Sequence, residues 1–472
     1  MKKICLLLLM FATSFIHAQK MAVLPTRQQL AWHETEFYLF MHFGPNTFTD
    51  KEWGHGDEPA AVFNPTVLDT RQWCRVAKAS GAKGIIITAK HHDGFCLWPS
   101  KFSKHTVRES KWKNGQGDVL RELSQACKEY GLKFGVYISP WDRNHPDYGT
   151  EKYNDVFVGM MKEIFQNYGP IWELWWDGAN GEGPNGKKQV YDWRRFENTV
   201  RQLSPNTVVF SDIGPDIRWV GNEKGIAGNP NWNFLDTAGF KRGLGAPDND
   251  TLNHGNYNGR YWIPGECDVS IRPGWFYHAN ENDKVKSPAT LFDLYLKSVG
   301  RGANLLLNVP PDDRGLITKY DSAALIGFRK LRGESFATNL LKQADTYYEF
   351  SQKDFSNKGL IIRGVNNKPA TYGINLQNFI VELKQPTKIN CIVLREAIHL
   401  GQSVRRFSIV LYKENKVAIG EIEGTSIGHK RILTFPAATI TSFRVYLEDA
   451  AGNDNISGIG AYLIDEKLVE KQ

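Results

Sequence analysis

Short apolar runs alternate with longer amphipathic stretches from Glu36 onward. The apolar runs have the length and the flanking Gly, Pro and Asp residues that are typical of buried strands. They predict six strands, at residues 37–44, 84–90, 133–139, 171–176, 207–212 and 303–309. The longer stretches predict helices at residues 73–81, 119–130, 153–168, 190–203, 289–299 and 322–332. Strands that alternate with helices across short loops indicate a parallel α/β arrangement.

The alternation fails over residues 214–288, which are rich in Gly, Asn and Trp. No Gly-x-Gly-x-x-Gly loop follows the first predicted strand, which argues against a dinucleotide-binding fold. The pattern favours an irregular (β/α)8 barrel of the TIM type, in which some helices are missing or distorted. The irregular stretch is the expected place for a loop that covers an active site.

The pattern changes near residue 345, where short alternating segments follow one another between Asn, Gly and Lys residues. Such spacing is typical of a β-sandwich. Strands are expected at residues 360–363, 379–383, 392–394, 407–412 and 443–447. We therefore expect a catalytic barrel over residues 19–345 and a C-terminal β-sandwich over residues 346–472. Residues 395–402 and 428–433 resemble galactose-binding-like sandwiches, and a structural cap on the barrel fits them equally well.

Residues 1–18 have a basic start, an apolar run and small residues before Gln19. This is the pattern of a secretory signal peptide cleaved after Ala18, and it is too short and too polar to span a bilayer. Apart from Cys5 in that segment, the Cys residues are scattered and contain no Cys-x-x-Cys pair. Neither a disulfide framework nor a zinc cluster is therefore expected. Export with few paired cysteines favours the periplasm or the extracellular surface of a bacterium.

The net charge of +7 is spread along the chain without a long run of Lys or Arg. Composition therefore does not indicate a nucleic-acid partner. Aromatic residues make up 12% of the chain, and 14 of the residues are Trp. Aromatic rings suit the flat C–H faces of sugars, although they also fill protein cores.

The predicted strand at residues 171–176 carries Trp172, Trp175 and Trp176 and runs into Asp177. Catalytic groups of a parallel barrel gather where the strands end at the carboxyl face. A carboxylate there, beside a wall of three indole rings, would meet a sugar at a place from which water can be excluded. The alternative for any single Asp at a strand end is a cap on the following turn.

Polar or aromatic residues follow the other predicted strands at the same end. They are His42, Glu52 and Trp53 after the first strand, His91 and His92 after the second, Tyr137 in the third and Arg218 after the fifth. Core packing alone does not readily explain such a series. Adjacent histidines point their side chains apart, and no third ligand falls at the usual spacing for zinc. We therefore expect hydrogen bonds to sugar hydroxyls rather than a metal site.

Hydrolysis of a glycoside with retention needs two carboxyl groups about 5–5.5 Å apart, one as nucleophile and one as acid and then base. Asp177 suits the nucleophile, since it can stay ionised beside imidazoles. The second carboxyl needs a raised pKa to hold its proton for the leaving oxygen. Glu223 and Glu266, both in the irregular stretch, are the candidates, and spacing alone does not choose between them.

Several motifs carry a resemblance to a known family: His42-Phe-Gly with Glu52-Trp-Gly, Lys90-His-His-Asp-Gly-Phe, Tyr137-Ile-Ser-Pro and Leu174-Trp-Trp-Asp-Gly. Over residues 25–340 the chain resembles the family 29 glycoside hydrolases, the α-L-fucosidases. The resemblance implies an exo-acting, retaining hydrolase that needs no cofactor and releases α-linked L-fucose from fucosylated oligosaccharides or glycoconjugates. It further implies that Asp177 is the nucleophile and that fucose is bound by His42, Glu52, Trp53, His91, His92, Tyr137 and Trp175.

The segment Arg218-Trp-Val-Gly-Asn-Glu223 resembles the branch of that family that acts on fucose linked α1,3 or α1,4 in Lewis-type glycans. This resemblance implies that Glu223 is the acid/base, with Glu266 as the second candidate. It also implies a contribution to the substrate pocket from Glu266, Asp268, Arg272 and Trp275. Two other interpretations stay open: a related retaining glycosidase of different sugar specificity, and a non-catalytic carbohydrate-binding protein on the same scaffold. The pair of acids argues against the second of these.

Overall fold

The structure is a computed structural model that describes residues 23–242, 245–342, 344–349, 361–363, 378–450 and 456–469. The predicted signal peptide at residues 1–18 lies outside the described residues. Within the described ranges, no helix combines the length and the apolarity that a membrane span needs.

The strands of the described residues, in chain order, are β1 (Phe37–Met41), β2 (Gly84–Lys90), β3 (Lys133–Ile138), β4 (Glu173–Trp175), β5 (Val208–Ser211), β6 (Ile217–Trp219), β7 (Phe234–Leu235), β8 (Tyr261–Trp262), β9 (Gly265–Ser270), β10 (Asn304–Asn308), β11 (Asp345–Glu349), β12 (Ile361–Arg363), β13 (Asn378–Glu396), β14 (Val404–Lys413), β15 (Val417–Gly424), β16 (Arg431–Ala450) and β17 (Ile456–Tyr462). The α-helices are α1 (Arg27–His33), α2 (Pro45–Thr49), α3 (Thr70–Ser80), α4 (Val119–Tyr130), α5 (Lys152–Asn167), α6 (Trp193–Leu203), α7 (Asn249–His254), α8 (Pro288–Lys297) and α9 (Lys319–Ser335).

Eight of these strands close into a parallel barrel in the order β1-β10-β9-β6-β5-β4-β3-β2. Leu39 of β1, for example, pairs with Leu307 of β10 on one side and with Ile85 of β2 on the other. All eight strands run the same way, so their carboxyl ends surround one mouth. The predicted (β/α)8-type barrel is therefore confirmed.

Two barrel strands lie inside residues 214–288, where the sequence pattern indicated only irregular structure. The first, β6, is three residues long and follows β5 without an intervening helix. The second, β9, alternates Glu266, Asp268 and Ser270 with Cys267 and Val269, and all of these residues are buried. Because polar side chains occupy one whole face of β9, the apolar run that marks a strand is missing. Glu266 thus belongs to the barrel wall and not to a covering loop.

The surrounding helices follow ordinary capping rules, as α4 shows. The side chain of Asp118 accepts a hydrogen bond from the backbone N–H of Arg121, which satisfies an otherwise unpaired donor of the first turn. Gly131 ends the helix at φ +65°, in the left-handed region that glycine adopts without strain. Leu120 and Leu123 lie on the buried face. Burying that face is what secures the helix against the barrel.

The C-terminal domain is an antiparallel sheet in the order β12-β11-β13-β16-β14-β15, and β17 pairs with residues 391–396 of β13, beyond the part that pairs with β11. The two longest strands, β13 and β16, change register at the bulge between Glu382 and Thr387. Their apolar faces enclose a core that includes Phe379, Phe407 and Phe443. The predicted C-terminal β-domain is confirmed, and its first described strand, β11, begins at Asp345.

The C-terminal domain meets the barrel at the amino ends of the strands, away from the mouth. Glu36, immediately before β1, forms ion pairs with Lys430 and with Arg395, the latter at 3.5 Å. The Tyr295 hydroxyl on α8 donates to the same carboxylate at 3.0 Å. The two ion pairs join the domains through partly buried charge, and the role of the C-terminal domain as a structural cap stays a prediction.

Candidate active site

Asp177 lies two residues beyond β4, at the mouth of the barrel. Tyr137 donates its hydroxyl to Asp177 Oδ2 at 2.9 Å, and the backbone N–H of Ala179 donates to Oδ1 at 2.7 Å. His92 Nε2 lies 3.7 Å from the same Oδ2 atom. One quarter of the Asp177 side chain remains exposed. The carboxylate is therefore held in one orientation while it stays accessible to a substrate.

Asp212 explains the glycine that follows Asp177. A Cβ atom at Gly178 would lie 2.0 Å from Asp212 Oδ2, so any side chain at that position would collide with this carboxyl group. Burial, with the nearby charge of Asp177, raises the pKa of Asp212 to about 6. The sequence places Asp212 at the end of the fifth strand, yet its proximity to the fourth strand end follows only from the barrel geometry.

The three histidines at the mouth are uncharged at neutral pH. Burial lowers the pKa of His42 to about 3 and that of His92 to about 4, and it lowers the pKa of His91 well below the ordinary value. The His42 ring nitrogen Nδ1 lies 2.9 Å from the side-chain oxygen of Asn308. Neutral imidazoles can give or receive hydrogen bonds with sugar hydroxyls without placing a cation beside Asp177.

The hydrogen bonds of Ser139 define which nitrogen of His92 carries the proton. The Ser139 hydroxyl donates to the carbonyl oxygen of Trp141 at 2.9 Å. It therefore accepts from His92 Nδ1, which lies 2.8 Å away. The neutral ring then has an unprotonated Nε2 facing the mouth. This nitrogen can accept a hydrogen bond from a substrate hydroxyl beside Asp177.

One of the three indole rings expected beside Asp177 lines the mouth. Trp175 stacks on Phe210 with a centroid distance of 3.9 Å and lies 5.2 Å from the Tyr137 ring. Trp176 is fully buried against the helix layer, 5.6 Å from Trp193, and Trp172 packs against Tyr38 lower in the barrel. The expected wall of three Trp rings is therefore wrong, because successive side chains of a strand point to opposite faces.

Two further indoles flank the mouth from loops. Trp53 is half exposed, and its ring lies 5.2 Å from the ring of His92. Trp275, after β9, has its ring 5.1 Å from that of His42. Sugar C–H faces pack well on such rings, so one indole offers binding surface beside His92 and the other beside His42.

The Glu52 carboxylate fixes the Trp275 loop. It accepts hydrogen bonds from the backbone N–H of Trp275 at 2.7 Å and of Phe276 at 3.1 Å. His278 Nε2 lies 2.6 Å from Glu52 Oε1. His278 was not predicted as a site residue; its only sequence signal was its closeness to the Trp275 segment. Glu52 thus connects the loop after β1 to the loop after β9.

The two candidates for the second acid lie in different surroundings. Glu223, beyond β6, is exposed, and its Oε2 accepts a hydrogen bond from Trp275 Nε1 at 3.2 Å. Glu266 on β9 is fully buried and accepts hydrogen bonds from Trp175 Nε1 at 2.8 Å and from the Tyr38 hydroxyl. Glu223 can meet a substrate and water directly, whereas Glu266 cannot.

The remaining predicted site residues lie farther from Asp177. Asp268 is buried beside the mouth, where its Oδ1 accepts from Trp219 Nε1 at 2.9 Å. Burial first, and then the charge of Glu223, raises the pKa of Asp268 well above its ordinary value. Arg218 is fully buried and donates to the carbonyl oxygen of Leu252 at 2.8 Å. Its guanidinium therefore does not reach the mouth.

Arg272 is likewise outside the mouth. Its guanidinium forms a buried ion pair with Asp321 on α9, with Nη2 and Oδ2 2.8 Å apart. The pair joins the end of β9 to the helix layer. Among the residues that the structure describes, no group of three or more His, Cys, Asp or Glu side chains is arranged to hold a metal ion.

The fold and its mouth define a class of enzyme. A parallel eight-stranded barrel that presents an accessible, oriented carboxylate among neutral imidazoles, indoles and a second exposed acid has the architecture of a glycoside hydrolase.

The family follows from the chain as a whole. Residues 15–329 match the family model described as Alpha-L-fucosidase. The chain belongs to this family, glycoside hydrolase family 29, and its activity is that of an α-L-fucosidase. It is 40% identical over 452 residues to Alpha-L-fucosidase 1 of Arabidopsis thaliana, an alignment that covers 93% of this chain and 87% of the plant protein.

Solved structures show the same fold. A glycoside hydrolase 29 family member from an unknown rumen bacterium is 40% identical, has a TM-score of 0.82, and is matched over 94% of this chain and 78% of its own. A Ruminococcus gnavus GH29 fucosidase in complex with fucose is 28% identical, has a TM-score of 0.83, and is matched over 95% of this chain and 96% of its own.

Proposed function

We propose that this α-L-fucosidase releases terminal α-linked L-fucose with retention, through a covalent intermediate on Asp177. The observation that carries the proposal is the oriented yet accessible Asp177 carboxylate, whose two oxygens each accept one hydrogen bond. One oxygen attacks the anomeric carbon as the bond to the leaving oxygen breaks. Water then cleaves the fucosyl ester, so fucose leaves with the configuration that it had in the glycan.

Glu223 is proposed as the acid and then the base. It protonates the departing glycosidic oxygen in the first step and removes a proton from the attacking water in the second. Its exposed carboxyl at the rim supports this role, because both the leaving group and water can reach it. Its hydrogen bond with Trp275 Nε1 keeps it on the side of the mouth where that indole contacts the sugar.

The proposed substrates are Lewis-type glycans with fucose linked α1,3 or α1,4. The motif from Arg218 to Glu223 supports this linkage by its resemblance to the corresponding branch of the family. The exposure of Glu223 also supports it, since a branched glycan leaves bulky sugars on the leaving-group side. The fucose complex of the R. gnavus relative supports fucose as the sugar in the inner site.

Two measurements test the proposal. A slow 2-fluorinated fucosyl substrate should leave a labelled peptide that contains Asp177, detected by mass spectrometry after proteolysis; a label on any other carboxylate contradicts the nucleophile. A panel of Lewis trisaccharides, a 2-linked fucosyllactose and an aryl fucoside should show free fucose most rapidly from the Lewis compounds. Equal or faster release from the 2-linked compound contradicts the proposed linkage.

We further propose that the protein is exported to the periplasm or to the outside of a bacterial cell. The basic and apolar pattern of residues 1–18 supports this location. Deleting residues 2–18 should retain activity in the cytoplasmic fraction of a bacterial host, whereas the full chain should appear in the exported fraction. Cytoplasmic retention of both forms would contradict the proposal.

A further inference from the structure

A second pair of acids lies inside the barrel, below the mouth. Glu173 begins β4 and Glu266 lies on β9, and both side chains are fully buried. The strands are separated by β5 and β6 in the barrel wall, so the two carboxyl groups approach each other across the interior. Two side chains connect them: the Tyr38 hydroxyl donates to Glu266, and Trp32 Nε1 lies 3.0 Å from that hydroxyl and 3.1 Å from Glu173 Oε2. Neither is used by the proposed catalytic steps.

The geometry points to a proton-sharing pair in which neutral Glu173 donates to an ionised Glu266, and in which Glu266 in turn positions the indole of Trp175. This inference rests on the proposed function, since it gives Glu266 a role that is not the acid/base. Glu173 and Glu266 are positioning residues, because they act on the substrate site through another side chain.

The hydrogen bonds assign the proton to Glu173. Glu266 receives donors on both oxygens, from Trp175 Nε1 at 2.8 Å and from the Tyr38 hydroxyl. Glu173 Oε2 accepts from Trp32 Nε1 at 3.1 Å, whereas Glu173 Oε1 accepts no hydrogen bond. An oxygen without a donor is the one that can carry the shared proton, and a carboxylate that already receives two donors is the better acceptor.

The electrostatic surroundings require the shared proton. Two adjacent carboxylates cannot both stay ionised in a dry interior. Burial raises the pKa of both acids, and the charge of Glu266 raises that of Glu173 further. Tyr38 on β1 and Cys267 and Asp268 on β9 interact with the pair, and the pKa of each is raised well above its ordinary value. These three groups therefore favour their neutral forms, and none of them supplies a positive charge that could stabilise two ionised carboxylates.

The pair connects to the catalytic carboxylate through two rings. Glu266 fixes the Trp175 indole, and Trp175 stacks with Tyr137 at 5.2 Å. Tyr137 donates its hydroxyl to Asp177. Because Glu266 stays ionised, it accepts the hydrogen bond from Trp175 Nε1 throughout the reaction. A residue that lost and regained a proton during turnover would change this hydrogen bond. The arrangement thus suits a fixed support beneath the sugar.

The matched variants Glu173→Gln and Glu266→Gln test the assignment. In Glu173→Gln the amide N–H₂ replaces the proposed proton and its oxygen still accepts from Trp32, so we expect kcat/KM for an aryl fucoside within about threefold of wild type. In Glu266→Gln one oxygen must serve two donors and an N–H faces another donor, so we expect kcat/KM to fall at least about tenfold. Glu396→Gln, which alters a buried acid of the C-terminal domain, is the control for burial alone.

Each outcome decides the proposal. Equal loss in both Gln variants overturns the proton assignment, and wild-type activity in Glu266→Gln overturns the positioning role. Recovery of Glu266→Gln by added azide would make Glu266 the acid/base. Infrared difference spectra should show a protonated carboxyl C=O band in wild type that is lost in Glu173→Gln; this readout stands even if Glu266→Gln does not fold. If the 2-fluorinated fucosyl substrate did not label Asp177, the proposed mechanism would be contradicted. The expected difference in kcat/KM between Glu173→Gln and Glu266→Gln would still test the proton assignment.

Discussion

Asp177 and Glu173 belong to the same short part of the chain, β4 and the two residues after it. Asp177 lies at the open mouth of the barrel, and Glu173 lies in its closed interior. Each has an acidic counterpart on another element: Glu223 at the rim and Glu266 on β9. At the mouth, the carboxyl groups are exposed to different degrees and face neutral imidazoles and indoles. In the interior, both acids are fully buried and connected through the Trp32 indole and the Tyr38 hydroxyl. Depth in the barrel, rather than residue type, separates the groups proposed to react from the groups proposed to support them.

The largest effect is expected from removing the proposed nucleophile at the mouth. Asp177→Ala should lower kcat for an aryl fucoside by about a thousandfold or more, because no covalent intermediate can form. Steady-state kinetics measure the loss. Glu466→Gln, an exposed acid of the C-terminal domain, is the control and should keep wild-type turnover. Wild-type turnover in Asp177→Ala would contradict the assignment.

Removing the second acid of the mouth should cost less with a good leaving group. Glu223→Ala should lower kcat/KM for Lewis-type substrates by about a hundredfold to ten-thousandfold, the usual contribution of acid and base catalysis. Added azide should restore turnover of an activated aryl fucoside, since azide replaces the water that Glu223 would deprotonate. Rescue by azide of Glu266→Ala, and not of Glu223→Ala, would exchange the roles of the two acids.

The interior pair should affect the free energy of unfolding more than any single acid of the mouth. Glu266→Ala leaves Trp175 Nε1 and the Tyr38 hydroxyl without their buried acceptor. We expect the free energy of unfolding to fall by about 2–4 kcal/mol, measured by urea denaturation. Glu223→Ala should change it by less than about 0.5 kcal/mol, because that residue is exposed. Similar losses in both variants would remove the contrast between the two pairs.

The smallest effect, taken per pH unit, concerns the neutral histidines. The pKa of His92 is lowered to about 4 in the folded protein, whereas it is about 6.5 in an unfolded chain. At a pH between these two pKa values, His92 is protonated in the unfolded chain but not in the folded protein. The stability that is present above pH 6.5 is therefore lost as the pH falls towards 4. The difference in unfolding free energy between wild type and His92→Gln should therefore shrink by about 1.4 kcal/mol per pH unit in this window. A difference that stays constant with pH would show a charged or exposed His92.

Much of the barrel could be predicted because apolar runs and caps are local signals. The sequence pattern places β2 at Gly84–Lys90 and α4 at Val119–Tyr130, and both have these bounds in the structure. It missed β6 because that strand has only three residues, and it missed β9 because a strand that carries Glu266 and Asp268 does not look apolar. The sequence also did not reveal which way each Trp side chain of the fourth strand points. Trp176 is next to Trp175 in the chain, but its ring faces the helices.

The site was predictable to a similar extent. Residues at strand ends, such as Asp177 and His42, do meet at the mouth because a parallel barrel brings those ends together. Arg218 came from its place after the fifth predicted strand and Arg272 from resemblance to a family segment, and no local pattern reveals that each guanidinium turns towards a buried partner. Asn308, which contacts His42, also ends a strand, so the same rule applied to β10 would have found it.

Glu52 couples separate loops of the mouth to one another. Its carboxylate anchors the backbone of Trp275, and the indole of Trp275 anchors Glu223. The indole proposed to bind the sugar and the acid proposed to deliver the proton are therefore coupled through hydrogen bonds that join three distant parts of the chain. A ligand that displaces the Trp275 ring must also move Glu223. A sugar that fits poorly would therefore displace the proposed proton donor as it binds.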